Sequence, residues 1–245
     1  MRPAKSNAPR KHPIFDGLDI LSVEDEKFDR IYPAKIRQLS AIFWTPIAVA
    51  AEATGLLVRA PGTRVLDLGC GAGKFCLVAA TLSDGRFTGI EQRTELVAAA
   101  RAAAAKMEID DIEFIRGNLT DLDFGNFDAF YLFNPFEENL HGHKIDSAIP
   151  LSPALFKHYT QHVADQLGTR PLGTRVVTYM GYAEDIPSCY ECEETRFGED
   201  LKLWVKRRGY PARLNISASA RRAVIAAPKA GNRHARRTFA ARRLM

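Results

Sequence analysis

Cysteine is scarce in this 245-residue chain, with four residues at positions 70, 76, 189 and 192. Only Cys189 and Cys192 form a C-x-x-C pair, and no second pair exists to complete a zinc site, so reduced thiols are expected and no metal. No apolar run approaches the roughly 18 residues of a membrane helix, and the opening MRPAKSNAPRKHP lacks the apolar core of a secretory signal. A cytoplasmic location is therefore expected. Acidic residues are missing from one end: residues 206–245 contain no Asp or Glu but 12 of the 34 Lys and Arg, which leaves 22 basic against all 29 acidic side chains in residues 1–205. Two nucleotide-binding signatures are missing too. From Gly69 the third glycine of G-x-G-x-x-G would fall on Lys74, from Gly71 it would fall on Cys76, and no G-x-x-x-x-G-K-[ST] stretch occurs.

What is present is enough for a sizeable core, since 46% of residues are hydrophobic and 9% aromatic. Residues 1–13 read as a flexible leader, followed by helical patches broken at Pro33. Thr45 and Pro46 then form a helix start, with Thr45 as the expected cap and Pro46 at the first position, ahead of IAVAAEATGLLV. From residue 64 strand-like and helix-like stretches alternate: RVLDL, a helix over 73–82, RFTGIE, a helix over 93–107, IEFIRG, FDAFYLF, a helix over 152–167, RVVTYM and LKLWVKR. That alternation predicts an α/β fold with a mostly parallel sheet and helices on both faces. The last forty residues, rich in Ala, Arg and Pro without periodicity, read as disordered.

In such a sheet ligands gather beyond the carboxyl ends of the strands, which singles out the loop after the first strand. There D-x-G-x-G-x-G, Asp67 to Gly73, is followed at the end of the second strand by Glu91 in FTGIEQR. An acid at that place can accept hydrogen bonds from both hydroxyls of a ribose. Over residues 60–207 these motifs resemble the class I S-adenosylmethionine-dependent methyltransferases. The resemblance implies a Rossmann-like seven-stranded sheet and S-adenosyl-L-methionine as cofactor. By position, Asp67, Gly69, Gly71 and Gly73 would line the methionine side, Glu91 would hold the sugar and Gln92 would flank the adenine. Asn118 replaces the family's acid after the third strand, and its side-chain oxygen can still accept from the adenine amino group.

The fourth strand ends in Asn134, Pro135 and Phe136, a variant of the Asn-Pro-Pro-Tyr stretch in relatives that methylate planar nitrogen. The resemblance implies that these three face the acceptor: the Asn134 oxygen and a backbone carbonyl would accept from an amine and aim its lone pair, and Phe136 would cover it. Asn-Pro also turns a chain and Phe136 also fills a core. Glu137 and Glu138 would draw in a substrate ammonium, or form a solvated loop face. His141 and His143, one residue apart with no third ligand, are not expected to bind metal. Tyr179 and Tyr182 would line the acceptor entrance or pack inside. The run from IFWTP through FYLFNPF also resembles bacterial methyltransferase-domain proteins without an assigned substrate, and three short motifs are similar to the non-SET histone-lysine methyltransferases.

The expected organisation is a leader and helical annex over 1–60, a methyltransferase domain over 61–207 and a basic tail over 208–245. The expected activity is N-methylation of a protein side chain or nucleic-acid base, favoured over a small molecule because the tail would concentrate near polyanions such as nucleic acid. No membrane partner is expected. The alternatives are a non-catalytic RNA-binding module on a vestigial cofactor fold and an NAD(P)-dependent oxidoreductase.

Overall fold

The computed structural model describes residues 13–15, 17–140, 144–181 and 186–210. The annex folds as three short helices, α1 (Asp25–Asp29), α2 (Ala34–Arg37) and α3 (Ser40–Phe43), followed by α4 (Ile47–Leu57). Pro46, not Thr45, stands at the N-cap of α4. The Ile47 amide instead donates to Asp25 Oδ1 at 3.0 Å, while the Thr45 hydroxyl lies 2.9 Å from that of Tyr131. A buried tyrosine that needed a hydrogen-bond partner took the threonine, and a carboxylate from another helix covers the exposed amide.

Ser40–Leu57 corrects a second expectation: by length and composition, with mean hydropathy 1.3 over 18 residues, it is apolar enough to cross a membrane. In the fold Trp44–Pro46 splits it into α3 and α4, and half of it is buried inside the protein. Its apolar character is that of a core element.

The alternating segment becomes β1 (Arg64–Leu68), α5 (Lys74–Leu82), β2 (Arg86–Glu91), α6 (Thr94–Lys106), β3 (Ile112–Arg116), β4 (Ala129–Phe133), α7 (Pro153–Gly168), β5 (Arg175–Tyr179), β6 (Tyr190–Arg196) and β7 (Leu201–Lys206). The seven strands run in the order β3-β2-β1-β4-β5-β7-β6, with β7 antiparallel to both neighbours and the other pairs parallel. The winding reverses between β1 and β4, so the carboxyl ends of those two strands open onto the crevice where such sheets bind ligands. Side chains alternate as a pleat demands: Val65, Ala129, Tyr131 and Val177 pack with the annex, α4, α5 and α6, while Leu66, Leu68, Phe130 and Val176 pack with α7.

β6 escaped the reading of the sequence. Its YECEETR is polar, and only Tyr190 in it is buried, because it is the sheet's edge and needs one apolar anchor with charges elsewhere.

Two lysines are used inside. Lys74, the first residue of α5, is buried between Asp25 at 2.6 Å and Asp29 at 2.7 Å and sits over the Phe28 ring. This locks the annex to the helix that follows the glycine loop. Lys206 at the end of β7 donates to the Gly168 and Arg170 carbonyls, satisfying orphan acceptors at the α7 C-terminus. Arg207 and Arg208 pair with Glu193 and Glu191 on β6. A compact unit extends to Tyr210, whose ring covers Gly168. Residues 211–245, most of the expected tail, lie outside the described residues.

Candidate active site

The chain leaves β1 through three left-handed glycines, Gly69 at φ 76°, Gly71 at φ 54° and Gly73 at φ 77°. Ile90 O receives the amides of Gly69 and Cys70, both at 3.0 Å, which ties the loop to the end of β2. The three glycines serve different ends. A Cβ at Gly73 would stand 2.4 Å from the Phe114 ring, and one at Gly69 would stand 2.8 Å from Pro135 Cβ. Their bareness is required by protein packing. Of the three, Gly71 alone faces open space, with nothing within 4 Å of an added Cβ.

The Gly69–Pro135 contact brings the Asn-Pro turn at the end of β4 directly against the glycine loop. Asn134 has φ 39°, and Met180 just beyond β5 has φ 54°. Left-handed residues at the ends of adjacent strands hold local strain of the kind that gathers at functional sites. Asn134 Nδ2 donates to Glu137 Oε2 at 2.9 Å, and its Oδ1 faces Gly181, 3.6 Å from where a Cβ there would stand. Phe136 is buried against Tyr159, with centroids 5.5 Å apart. It fills the core on the α7 face, which corrects its expected role of covering an acceptor. Tyr179 packs on Phe133 with centroids 4.8 Å apart. His141, His143 and Tyr182 lie outside the described residues.

Asp67 is buried beneath the loop and accepts from Cys76 Sγ at 3.5 Å. Burial pushes its carboxyl up to about 7, Glu91 adds to the rise, and the Cys76 bond opposes it. The sign follows: folded protein keeps a proton that unfolded chain releases, so stability declines as pH rises from about 4 to about 7 and then levels. One such group gives a slope of at most ~1.4 kcal/mol per pH unit. Urea midpoints of Asp67→Asn measured at pH 5 and pH 8 should differ less than those of the parent; an unchanged difference would rule Asp67 out as the cause.

Glu91 is buried at the end of β2. Burial raises its pKa, and the Arg93, Gly71 and Gln92 amides together with the Arg93 charge partly offset the rise. The Arg93 amide donates to Oε1 at 2.8 Å, but the guanidinium stands off at 3.9 Å. Its backbone donors offset only part of the cost of burying the charge. Asn118 spends its oxygen capping the turn at Leu119–Asp121, accepting from Thr120 N at 3.1 Å, and its amide donates to the Tyr159 hydroxyl. The expectation that its oxygen serves an adenine is weakened to one remaining lone pair. Gln92 follows Glu91 and is half-buried.

Arg93 went unnoticed in the sequence. It is 5% exposed and binds Glu138 Oε2 at 2.8 Å and Asp146 Oδ1 at 3.0 Å. Glu138 is thus held in an ion pair and does not form a solvated face. One signal was available: an arginine at the N-cap of α6 opposes the helix dipole and needs a compensating reason. Among the described residues no group of three His, Cys, Asp or Glu could hold a metal.

Residues 59–155 match the profile of a family described as Methyltransferase domain. The chain is 40% identical over 65 residues to an arsenite methyltransferase of Halobacterium salinarum, covering 26% of this chain and 17% of that protein. It is 38% identical over 73 residues to the 23S rRNA (uracil(1939)-C(5))-methyltransferase RlmD of Shewanella sp. strain MR-7, covering 30% and 16%. The chain thus spans about a sixth of the length of these curated relatives. Among solved structures, TrmN from Thermus thermophilus aligns over 69% of this chain and 51% of that one at TM-score 0.50 and 18% identity. An RNA methyltransferase from Salinibacter ruber aligns over 70% and 99% at TM-score 0.48 and 22% identity. The strand order and the profile match agree: the chain has the Rossmann-like fold, and its residues 59–155 match a methyltransferase domain.

Proposed function

We propose that the protein transfers the methyl group of S-adenosylmethionine to a nitrogen acceptor on a protein side chain or nucleic-acid base. The residues present fit the cofactor. Glu91 is a buried carboxylate whose amide partners offset only part of the cost of its burial and which two ribose hydroxyls would further satisfy, and Gly71 beside it presents open main chain. When bound, S-adenosylmethionine supplies an electrophilic methyl on a sulfonium. The chain's own part is to hold the two reactants in line, which alone supplies effective molarities of roughly 10⁵ to 10⁸ M.

The observation that carries this reading is the Gly69–Pro135 contact. It joins the loop under the cofactor to the turn bearing Asn134, so acceptor and donor would be positioned by one packed unit. Asn134 has its amide nitrogen committed to Glu137, which leaves its carbonyl oxygen to accept from an acceptor N–H. The arginine-rich residues 211–245 supply charge that would raise the local concentration of a polyanion. A cytoplasmic site of action is part of the same proposal.

The test is transfer of label from methyl-tritiated S-adenosylmethionine into fractionated cell extract. Label should enter the protein or nucleic-acid fraction, and Asn134→Ala should slow it at least tenfold. Incorporation at the parental rate in that variant would remove Asn134 from the acceptor site. Binding of NADH with no binding of S-adenosylhomocysteine would remove the methyltransferase reading altogether.

A further inference from the structure

The Arg93 guanidinium is walled by acids on three sides. Nη1 points toward Glu91 at 3.9 Å, Nη2 binds Glu138 at 2.8 Å and Nε binds Asp146 at 3.0 Å. The two outer acids are themselves fixed by backbone, Glu138 by the Ile145 amide at 3.1 Å and Asp146 by the Ala148 amide at 2.9 Å. Burying a cation costs desolvation, and placing it at a helix N-terminus costs more. A neutral side chain would leave Glu138 and Asp146 without their cation, so Arg93 ties their segment to the end of β2.

At the end of β2 the guanidinium faces Glu91. Besides Arg93, the Gly71 and Gln92 amides act on it, and Glu91 in turn acts on Asp67 of β1 and Cys70 of the glycine loop. Glu138 and Asp146 stand beyond Arg93, and Lys35 acts on Asp146. Burial favours the protonated acid, which would offer one acceptor fewer to a diol. Arg93 is the cation that opposes it. We propose that Arg93 is a positioning residue of the sugar site, held by Glu138 and Asp146, which keeps the Glu91 carboxylate charged and fixed for a vicinal diol. The proposal rests on the reading of Glu91 as the ribose acid.

Calorimetric titration of S-adenosylhomocysteine into the full chain from pH 6 to pH 8.5 tests it. Affinity of Arg93→Gln should be about tenfold weaker than the parent's at the low end of this range, and the gap should narrow as pH rises. Arg93→Lys should restore the parent's pH profile with part of the affinity. If Arg93→Gln fails to fold, the triple variant Arg93→Gln, Glu138→Gln, Asp146→Asn keeps the volume without an unpaired buried charge, and the same weakening and pH trend are expected. Parental affinity and pH profile in whichever variant folds would overturn the role of Arg93 alone. Parental affinity in Glu91→Ala would overturn the sugar-site reading itself, and the Arg93 proposal with it.

Discussion

Replacing Glu91 with alanine is expected to weaken S-adenosylhomocysteine binding at least ~100-fold, a loss of about 2.7 kcal/mol. The size follows from the chemistry. Hydrogen bonds to a charged acceptor contribute roughly 1.5–3 kcal/mol each, and a ribose would offer two. The fold should not suffer, because the carboxylate is held at a desolvation cost that its amide partners only partly offset. Glu91→Gln keeps the shape and an oxygen for the Arg93 amide but loses the charge, so it should fall between, at roughly tenfold. Isothermal titration supplies the affinities and thermal unfolding without ligand supplies the stabilities. A Glu91→Ala protein that melts like the parent and still binds within threefold would mean that the ligand's sugar sits elsewhere.

The second large effect separates two glycines that look alike in the sequence. Gly73→Ala should destabilise the protein by about 3 kcal/mol. The new Cβ meets the Phe114 ring at 2.4 Å and Ala100 Cβ at 3.0 Å, overpacking that costs roughly 1–3 kcal/mol, and φ 77° adds about 1–2 kcal/mol. For a domain of this size the melting temperature should drop by roughly 10 °C. Phe114→Leu in the same chain opens space beside the new methyl, so the double variant should lose less than the two single losses added together. Gly71→Ala carries only the backbone penalty, about 1 kcal/mol, because its Cβ enters open space. It should melt near the parent but bind S-adenosylhomocysteine weakly. Equal losses of stability at 71 and 73 would contradict this division of labour.

These two positions also show how far the sequence could be read. The alternation of apolar runs placed β1 to β5, β7 and the helices between them, because a strand covered on both faces must be apolar nearly throughout. It also put Asp67, the glycine loop, Glu91 and Asn134 at the carboxyl ends of the right strands. What a glycine faces is not written in its own letter. Gly69 and Gly73 acquire their roles from Pro135 and Phe114, more than forty residues away in the chain. Phe136 had two readings, and the packing of α7 through Tyr159 decided between them. Lys74 and Arg93 resemble surface charges until Asp25 and Asp29, or Glu138 and Asp146, arrive from separate elements. β6 stayed hidden because an edge strand needs only one inward anchor, and Tyr190 supplies it.

Lys206 bears on how the cationic end of the chain should be studied. Its ammonium fastens the last turn of a helix, and the two arginines behind it are spoken for by glutamates on the neighbouring strand. A deletion meant to ask what the arginine-rich extension does has to begin after Tyr210. Begun at 206, it would strip a clasp from the folded body, and a collapsed protein would be mistaken for one that had merely lost its grip on a partner.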